Sequence, residues 1–414
     1  MIIYNLAIRV YSLVIALAAP FVPKAKLWTD GRKDLFARMK SAITPGEKIV
    51  WVHVASLGEF EQGRTTIEQL RDRVPEYKIL LTFFSPSGYE VRKGYEGADY
   101  IFYLPIDTPS NVKEFLDIVN PDIAIFVKYE YWLNFLYELR RRHIRSYIVS
   151  AIFRKNSIFF DAWGGAWRRA LLSFDTLFVQ NFESRELLST IGIDNVVVAG
   201  DTRFDRVYQI SRSVKSIPVA DEFKCGQRLF IAGSSWDPDD AIISKLCRQY
   251  PDVKFIIAPH EIDPAHIASV VKSYGERAVL YTQIVNLEPD RRREILSSAQ
   301  VLVIDIIGIL SSLYQYGDWC YIGGGFGVGI HNTLEAAIFS LPIAFGPNYK
   351  RFKEAVDMVE LGACQSVTNR DELEIWFFEL YHNEARRVSC GAKSRSYAID
   401  NCGATNLFVD YILM

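Results

Sequence analysis

The sequence predicts an α/β protein of two doubly wound domains. From residue 48 onward, apolar strand-like runs alternate with helical stretches, the pattern of parallel sheets covered on both faces. The alternation stops at a polar stretch, 205–226, and then restarts. At 414 residues the chain is too long for one ordinary core.

Residues 1–23, MIIYNLAIRVYSLVIALAAPFVP, are almost all apolar, with Arg9 the only charge. A spanning helix needs roughly 20 apolar residues. Arg9 cuts the uncharged run to 10–22, and Pro20 and Pro23 end it. A cleaved signal peptide fits poorly, because a basic start and an A-x-A site are missing. Lys24, Lys26, Arg32 and Lys33 follow, and such a flank faces the cytoplasm. The segment reads as a membrane anchor, a tilted span or an interfacial helix, with the body in the cytoplasm. A buried core helix is the alternative.

Half of the residues are hydrophobic and 23% are charged, as in a globular protein. The formal net charge of −2 gives no support for a nucleic-acid binder. Six cysteines at 225, 247, 320, 364, 390 and 402 form no C-x-x-C pair. Neither a disulfide framework nor a zinc site is suggested, and reduced thiols in a cytoplasmic compartment are the simplest reading.

In order, strands are expected at 49–55 (IVWVHVA), 78–84 (KILLTFF), 100–104, 122–127 (DIAIFV), 146–152, 176–180 and 196–199. Helices fall at 59–74, 86–94, 111–119 and 131–142. The stretch at 205–226 lacks strong periodicity and carries a proline, so it reads as the domain boundary. Strands resume at 228–232 (RLFIA), 254–258 (KFIIA), 278–281, 301–304, 319–322 (WCYI) and 343–345. Residues 383–414 read as helix. The expected partition is an anchor at 1–23, domains at 24–210 and 211–395, and a C-terminal helix at 396–414 packing back toward the first. The domains would face each other across a cleft, with ligands at the carboxyl ends of the strands.

Residues 318–352 organise the second half. Gly323, Gly324, Gly325, Gly327 and Gly329 follow an apolar strand and permit close backbone approach. Asn332 is a plausible N-cap with Glu335 in capping-box spacing, and the helix should run 333–340 before Pro342. A glycine loop that ends at a helix N-terminus suits an anion, so part of a phosphate-bearing ligand is expected there. Other turns after strands are 232–235, 258–261 with His260, and 305–308.

In the first half, Ser56–Leu57–Gly58 is a tight turn before Glu59. A carboxylate there can be a general base or a first-turn Glu that stabilises the helix dipole. Glu130 lies in a charged, aromatic turn, either beside a ligand or simply at a helix start. Arg203 could balance negative charge or sit alone on the surface. No H-x-x-x-H or H-E-x-x-H pattern marks a helix-borne zinc site, and no P-loop is present. The glycine loop lacks a dinucleotide fingerprint, because Val328 stands where a glycine or alanine is needed.

Eight blocks together resemble one known family. They are W-V-H-V-A-S-L-G-E at 51–59, E-Y-W at 130–132, G-D-T-R-F-D at 200–205, A-G-S-S at 232–235, A-P-H at 258–260, I-D-I-I-G at 304–308, G-I-H-N-T-L-E at 329–335 and G-P-N-Y-K-R-F at 346–352. The chain resembles the bacterial 3-deoxy-D-manno-octulosonic acid (Kdo) transferases of lipopolysaccharide synthesis, membrane-anchored inverting glycosyltransferases of the GT-B fold. The resemblance implies an acceptor-binding first domain and a second domain that binds the CMP part of CMP-Kdo. It implies Glu59 as catalytic base, with Glu130 and Arg203 supporting the transition state. The implied donor contacts are Ser234, Pro259, His260, Ile306, Ile307, Gly308, Gly325, Asn332, Thr333, Leu334 and Glu335. It further implies a lipid A precursor as acceptor, the cytoplasmic face of the inner membrane as location, and no metal or other cofactor. The family often carries Glu, Lys, His and Arg where Lys128, Arg203, Trp236 and Pro259 stand. A related transferase using a UDP-sugar, and an inactive membrane scaffold of the same fold, are the alternatives.

Overall fold

A computed structural model describes residues 1–414. The chain divides into two compact units, Met1–Arg206 with Cys402–Met414, and Val207–Asn401. The first contains β1 (Ile49–Val54), β2 (Lys78–Phe83), β3 (Tyr100–Tyr103), β4 (Ile123–Val127), β5 (Arg145–Ala151), β6 (Thr176–Val179) and β7 (Val196–Val198). They form one sheet in the order β3-β2-β1-β4-β5-β6-β7, every pair parallel. The second contains β8 (Arg228–Ser235), β9 (Val253–Pro259), β10 (Ala278–Leu280), β11 (Val301–Val303), β12 (Trp319–Ile322), β13 (Ile343–Phe345) and β14 (Cys364–Ser366). Their order is β10-β11-β9-β8-β12-β13-β14, again all parallel.

The strands are largely apolar because both faces of each sheet are covered. Along β1, Ile49 and Trp51 enter one core cluster while Val50, Val52 and Val54 enter the other, following the two-residue period of a strand. The buried Trp51 indole N–H donates to Thr82 Oγ1 at 2.8 Å, which relieves the cost of burying it. The strand order reverses between β1 and β4, and between β8 and β12, so the loops after these strands diverge and leave room for a ligand.

The 383–414 region is two helices, Glu384–Asp400 and Ala404–Leu413, rather than one. Gly403, with φ of 119°, breaks them. Phe408, Val409 and Ile412 then fill a core face of the first unit, and the Asp205 carboxylate accepts from the Gly403 and Thr405 amides at 2.6 and 2.8 Å. The 205–226 stretch is also more ordered than its composition suggests. It holds the helices Thr202–Arg212 and Pro218–Lys224, the second started by Pro218 at a position where a missing N–H costs nothing. The 333–340 helix is reduced to Leu334–Ala337, because Ser340 adopts φ of 63° and turns the chain toward Pro342.

Helix Ile2–Ala18 has no buried residue, which removes the core-helix alternative, and Ile2, Ile3 and Phe21 are at least 84% exposed. No single helix is long and apolar enough to cross a membrane; the pair Ile2–Ala18 and Pro23–Asp30 passes that test only together, bent by 119°. The first helix is tied down at a few points. Tyr4 O–H donates to Asp107 Oδ2 at 2.6 Å, and Asn134 Nδ2 donates to Asn5 Oδ1 at 2.8 Å. Asp107 is 1% exposed and also accepts from the Asn134 and Phe135 amides, each at 3.1 Å, so one carboxylate joins the N-terminal helix to the start of helix Leu133–Arg141.

Burial pushes the Asp107 carboxyl up to about 6 despite those donors. A raised folded-state value means that the folded protein holds this proton where the unfolded chain has lost it. Stability from this group is full below about pH 4 and is lost as pH rises through about 6. Compared with Asp107→Asn, the wild type should lose on the order of 2–3 kcal/mol between pH 4 and 7 in urea unfolding. Parallel pH profiles of the two proteins would contradict this.

Candidate active site

In the first unit, helix Leu57–Arg73 starts directly after β1, with Ser56 as N-cap and Glu59 in its first turn. The Ser56 hydroxyl donates to Glu59 Oε2, and the carboxylate remains partly exposed. On the other side of the switch point, β4 runs into Lys128. Its φ of 69° turns the chain sharply outward, a conformation that costs on the order of 1–3 kcal/mol in a non-glycine residue and clusters at functional sites. Tyr129 follows. Burial raises its phenol above the ordinary value, and the charges of Arg154, Arg203, Asp201 and Glu59 all act on it. Tyr129, after β4, therefore lies within electrostatic reach of the loops after β1, β5 and β7.

Arg203 is held for this place. Its Nε donates to Asp201 Oδ2 at 2.8 Å and its backbone N–H to Asp201 Oδ1 at 2.9 Å. Thr202 is fixed by Ser150, whose hydroxyl lies 2.9 Å from Thr202 Oγ1. A carboxylate on one of these loops can take a proton from a hydroxyl, while cations on the others hold an anionic partner.

Glu130 is placed differently. It is 8% exposed, and its Oε2 accepts from Trp132 Nε1 at 2.7 Å and meets His53 Nε2 at 2.9 Å. His53 is fully buried, with Nδ1 2.9 Å from Thr82 Oγ1. Glu130 does not start a helix, since helix Leu133–Arg141 begins beyond it. It joins β1 to the turn that carries Tyr129. The sequence singles out neither His53 nor Asp201, and offers Tyr129 and Trp132 only as aromatic residues beside Glu130 that suit a sugar or lipid contact or helix packing. The available signal for His53 was a polar residue on the Trp51 face at the carboxyl end of an otherwise apolar strand.

In the second unit the turns after β8, β9, β12 and β13 converge. Gly323 N–H donates to Gly233 O at 2.9 Å, His260 N–H to Ser235 O at 2.9 Å, and Asn348 N–H to Gly325 O at 2.9 Å. Ser234 has φ of 54°, where β8 and β9 shift register. The glycines are needed for contact: a Cβ on Gly323 would lie 2.2 Å from Ser234 O, and one on Gly325 would lie 2.6 Å from Gly346 Cα. The buried Asp239 clamps this assembly. Its Oδ2 accepts from Trp236 N–H at 3.0 Å and Gly324 N–H at 2.9 Å, and its Oδ1 from Tyr321 O–H at 2.8 Å.

Asn332 Oδ1 accepts from Leu334 N–H at 3.1 Å, and its Nδ2 donates to Glu335 Oε1 at 3.0 Å. That differs from a capping box, and Thr333 takes the N-cap position. The single-turn helix contributes little dipole, so an anion would rely on the loop amides. The Thr333 hydroxyl is buried without a protein partner. Pro259 is buried at the end of β9, opposite Ser235, and offers no N–H. Ile306, Ile307 and Gly308 follow β11, which β9 separates from β8. Ile307 is 83% exposed, and nothing lies within 4 Å of a Cβ built on Gly308.

Residues 32–206 match the Glycos_transf_N family, described as 3-Deoxy-D-manno-octulosonic-acid transferase (kdotransferase). The 3-deoxy-D-manno-octulosonic acid transferase of Aquifex aeolicus (strain VF5) is 29% identical over 84% of this chain and 89% of its own length. The Bordetella pertussis protein of that name is 26% identical over 97% of both chains. Among solved structures, a UDP-GlcNAc 2-epimerase from Neisseria meningitidis aligns with a TM-score of 0.62 at 16% identity, covering 88% of this chain and 99% of its own. At that identity the likeness concerns the fold alone. Two Rossmann-like units with ligand-ready turns at the carboxyl ends of their strands, and these relatives, define a glycosyltransferase of the GT-B class. Within it, the chain is similar along most of its length to the 3-deoxy-D-manno-octulosonic acid transferases.

Proposed function

We propose that the protein transfers Kdo from CMP-Kdo to a lipid A precursor, with inversion, at the cytoplasmic face of the inner membrane. The observation that carries this reading is at the first unit's switch point, where the charges of Glu59, Arg154 and Arg203 all act on Tyr129. Glu59 takes the proton of the acceptor hydroxyl as that oxygen attacks the anomeric carbon. Arg154 and Arg203 balance the negative charge of the sugar acid. One displacement inverts the anomeric configuration. The second unit holds the CMP leaving group at its glycine loop, where amides and the unpartnered Thr333 hydroxyl are ready to bond oxygen atoms.

The lipid acceptor is supported by the N-terminal helices. Their exposed apolar side chains suit the interface of a bilayer, and Lys24, Lys26 and Lys33 suit acidic headgroups. A groove of about 350 Å³, lined by Tyr11, Ile15, Val22, Lys24, Trp28 and Phe84 among others, lies beside them. The bent pair is better suited to lie in the interface than to span it.

Purified protein given CMP-Kdo and lipid A precursor in vesicles should yield a lipid heavier by one or more Kdo units, read by mass analysis, with the anomer read by NMR. Turnover with a UDP-sugar and none with CMP-Kdo would overturn the donor assignment. In flotation, Lys24→Glu with Lys26→Glu should weaken binding to anionic vesicles by about thirtyfold or more, at roughly 1 kcal/mol per cation removed. Unchanged flotation would overturn the membrane arm alone.

A further inference from the structure

The groove beside the N-terminal helices shares a wall with the site of the first unit. Tyr11, Trp28 and Phe84 line it, with ring centroids 6.0 to 6.2 Å apart. Phe84 also packs against Trp132 with centroids 4.7 Å apart, and Trp132 holds Glu130. The backbone is joined as closely. Ser85, which lines the groove, donates its N–H to Ala55 O at 2.7 Å, and Ala55 immediately precedes Ser56. A Cβ on Gly88, in the helix Pro86–Arg92, would lie 2.9 Å from Ser56 C. The groove and the turn that carries Glu59 are therefore neighbours.

The lining suits one class of ligand. It is almost wholly aromatic and aliphatic, Lys24 is its one charged residue, and it contains no acid. A second cation backs the aromatic wall. The Arg32 guanidinium carbon lies 4.0 Å from the Trp28 ring centroid and 5.2 Å from that of Phe84. Its N–H groups donate to the backbone carbonyls of Trp28, Phe84 and Leu104, and no carboxylate pairs with it. A charge held away from water without a counter-charge is costly, and an anionic ligand nearby lessens that cost. A soluble anion would leave the aromatic wall unused, and a neutral hydrocarbon would leave the cations unanswered. A hydrocarbon chain on an anionic head meets both.

The helix Ile2–Ala18 connects this groove to the bilayer interface. Tyr11 and Ile15 line the groove one turn apart on one face. Leu13 and Leu17, one turn apart on the opposite face, are 59% and 66% exposed.

We propose that the groove seats an acyl chain of the phosphorylated lipid acceptor and so holds the acceptor's head beside Glu59. This rests on the acceptor reading given above. A groove for bulk bilayer lipid would have no need of a wall shared with Trp132 and Ala55.

Ala25 also lines the groove, and Ala25→Trp in the full chain fills it while leaving every residue placed at the site unchanged. With lipid A precursor and saturating CMP-Kdo, KM for the acceptor should rise about fifteenfold, as when roughly two methylenes lose their burial, with kcat changed less than twofold. A deacylated acceptor should be turned over equally by both proteins, and flotation on phosphatidylglycerol vesicles should be equal. An unchanged KM, or an equal rise with the deacylated acceptor, overturns the proposal. Photolabelling of the wild type needs neither a variant nor turnover. A lipid A precursor with a diazirine on an acyl chain should label Tyr11, Trp28 or Phe84, mapped by mass analysis. Label confined to Leu13 and Leu17, or label abolished by an excess of phosphatidylglycerol, overturns it. Should neither acceptor receive Kdo from CMP-Kdo, the proposed reaction fails instead, and the photolabel judges the groove separately.

Discussion

Glu59→Gln should lower kcat by about 10²–10⁴-fold, the usual contribution of a general base. Glu59 is partly exposed and its one hydrogen bond is from Ser56, so thermal unfolding and CMP affinity should stay close to wild type. That combination separates a base from a first-turn carboxylate that merely favours its helix, whose loss costs about 0.3–1 kcal/mol of stability and leaves turnover intact. A variant with near-normal turnover, measured as lipid product per unit time with saturating donor, would remove Glu59 from the chemistry. Ser56→Ala is the companion test: it removes the hydroxyl that orients the carboxylate and should cost less than Glu59→Gln.

Gly323→Ala should destabilise the second unit and abolish measurable CMP binding. The added Cβ would lie 2.2 Å from Ser234 O and 2.6 Å from Ser235 Cα. Both are backbone atoms, so no rotamer change can make room. Overpacking of this kind costs about 1–3 kcal/mol or more, and here the displaced atoms belong to the turn that presents Trp236. Gly327→Ala is the control, because its Cβ would meet only Gly324 O at 3.6 Å, an ordinary contact. Equal melting temperatures and equal CMP titrations for the two variants would show that the close approach of the turns after β8 and β12 is not required.

Much of the fold was legible in the chain. Strand runs such as IVWVHVA and KILLTFF carry their own signal, because a strand buried on both faces is apolar at nearly every position. The locations of Glu59, Arg203 and the glycine loop after strands were equally readable. Helix ends were less so. Residues 333–340 looked like two helical turns, and only the left-handed Ser340 shortens them. The polar stretch 205–226 looked irregular because its helices Thr202–Arg212 and Pro218–Lys224 are short and a polar, proline-bearing segment separates them. Glu130 illustrates the limit at the site. Its neighbours suggested a helix start or a ligand contact, whereas its partner is His53, 77 positions away.

The sequence by itself determined the α/β class, the two-part organisation and the turns that bear chemistry, because each depends on periodicity or turn residues within a short window. It also carried the family blocks. Only the tertiary structure decided which turns meet. The order of strands places β1 against β4 and β8 against β12, and that order creates the His53–Glu130 pair, the Asp239 clamp and the Trp236–His331 bond. Such contacts join residues 77, 85 and 95 positions apart. No local pattern encodes them, because they exist only once the sheets have assembled and buried the polar groups that must then find partners.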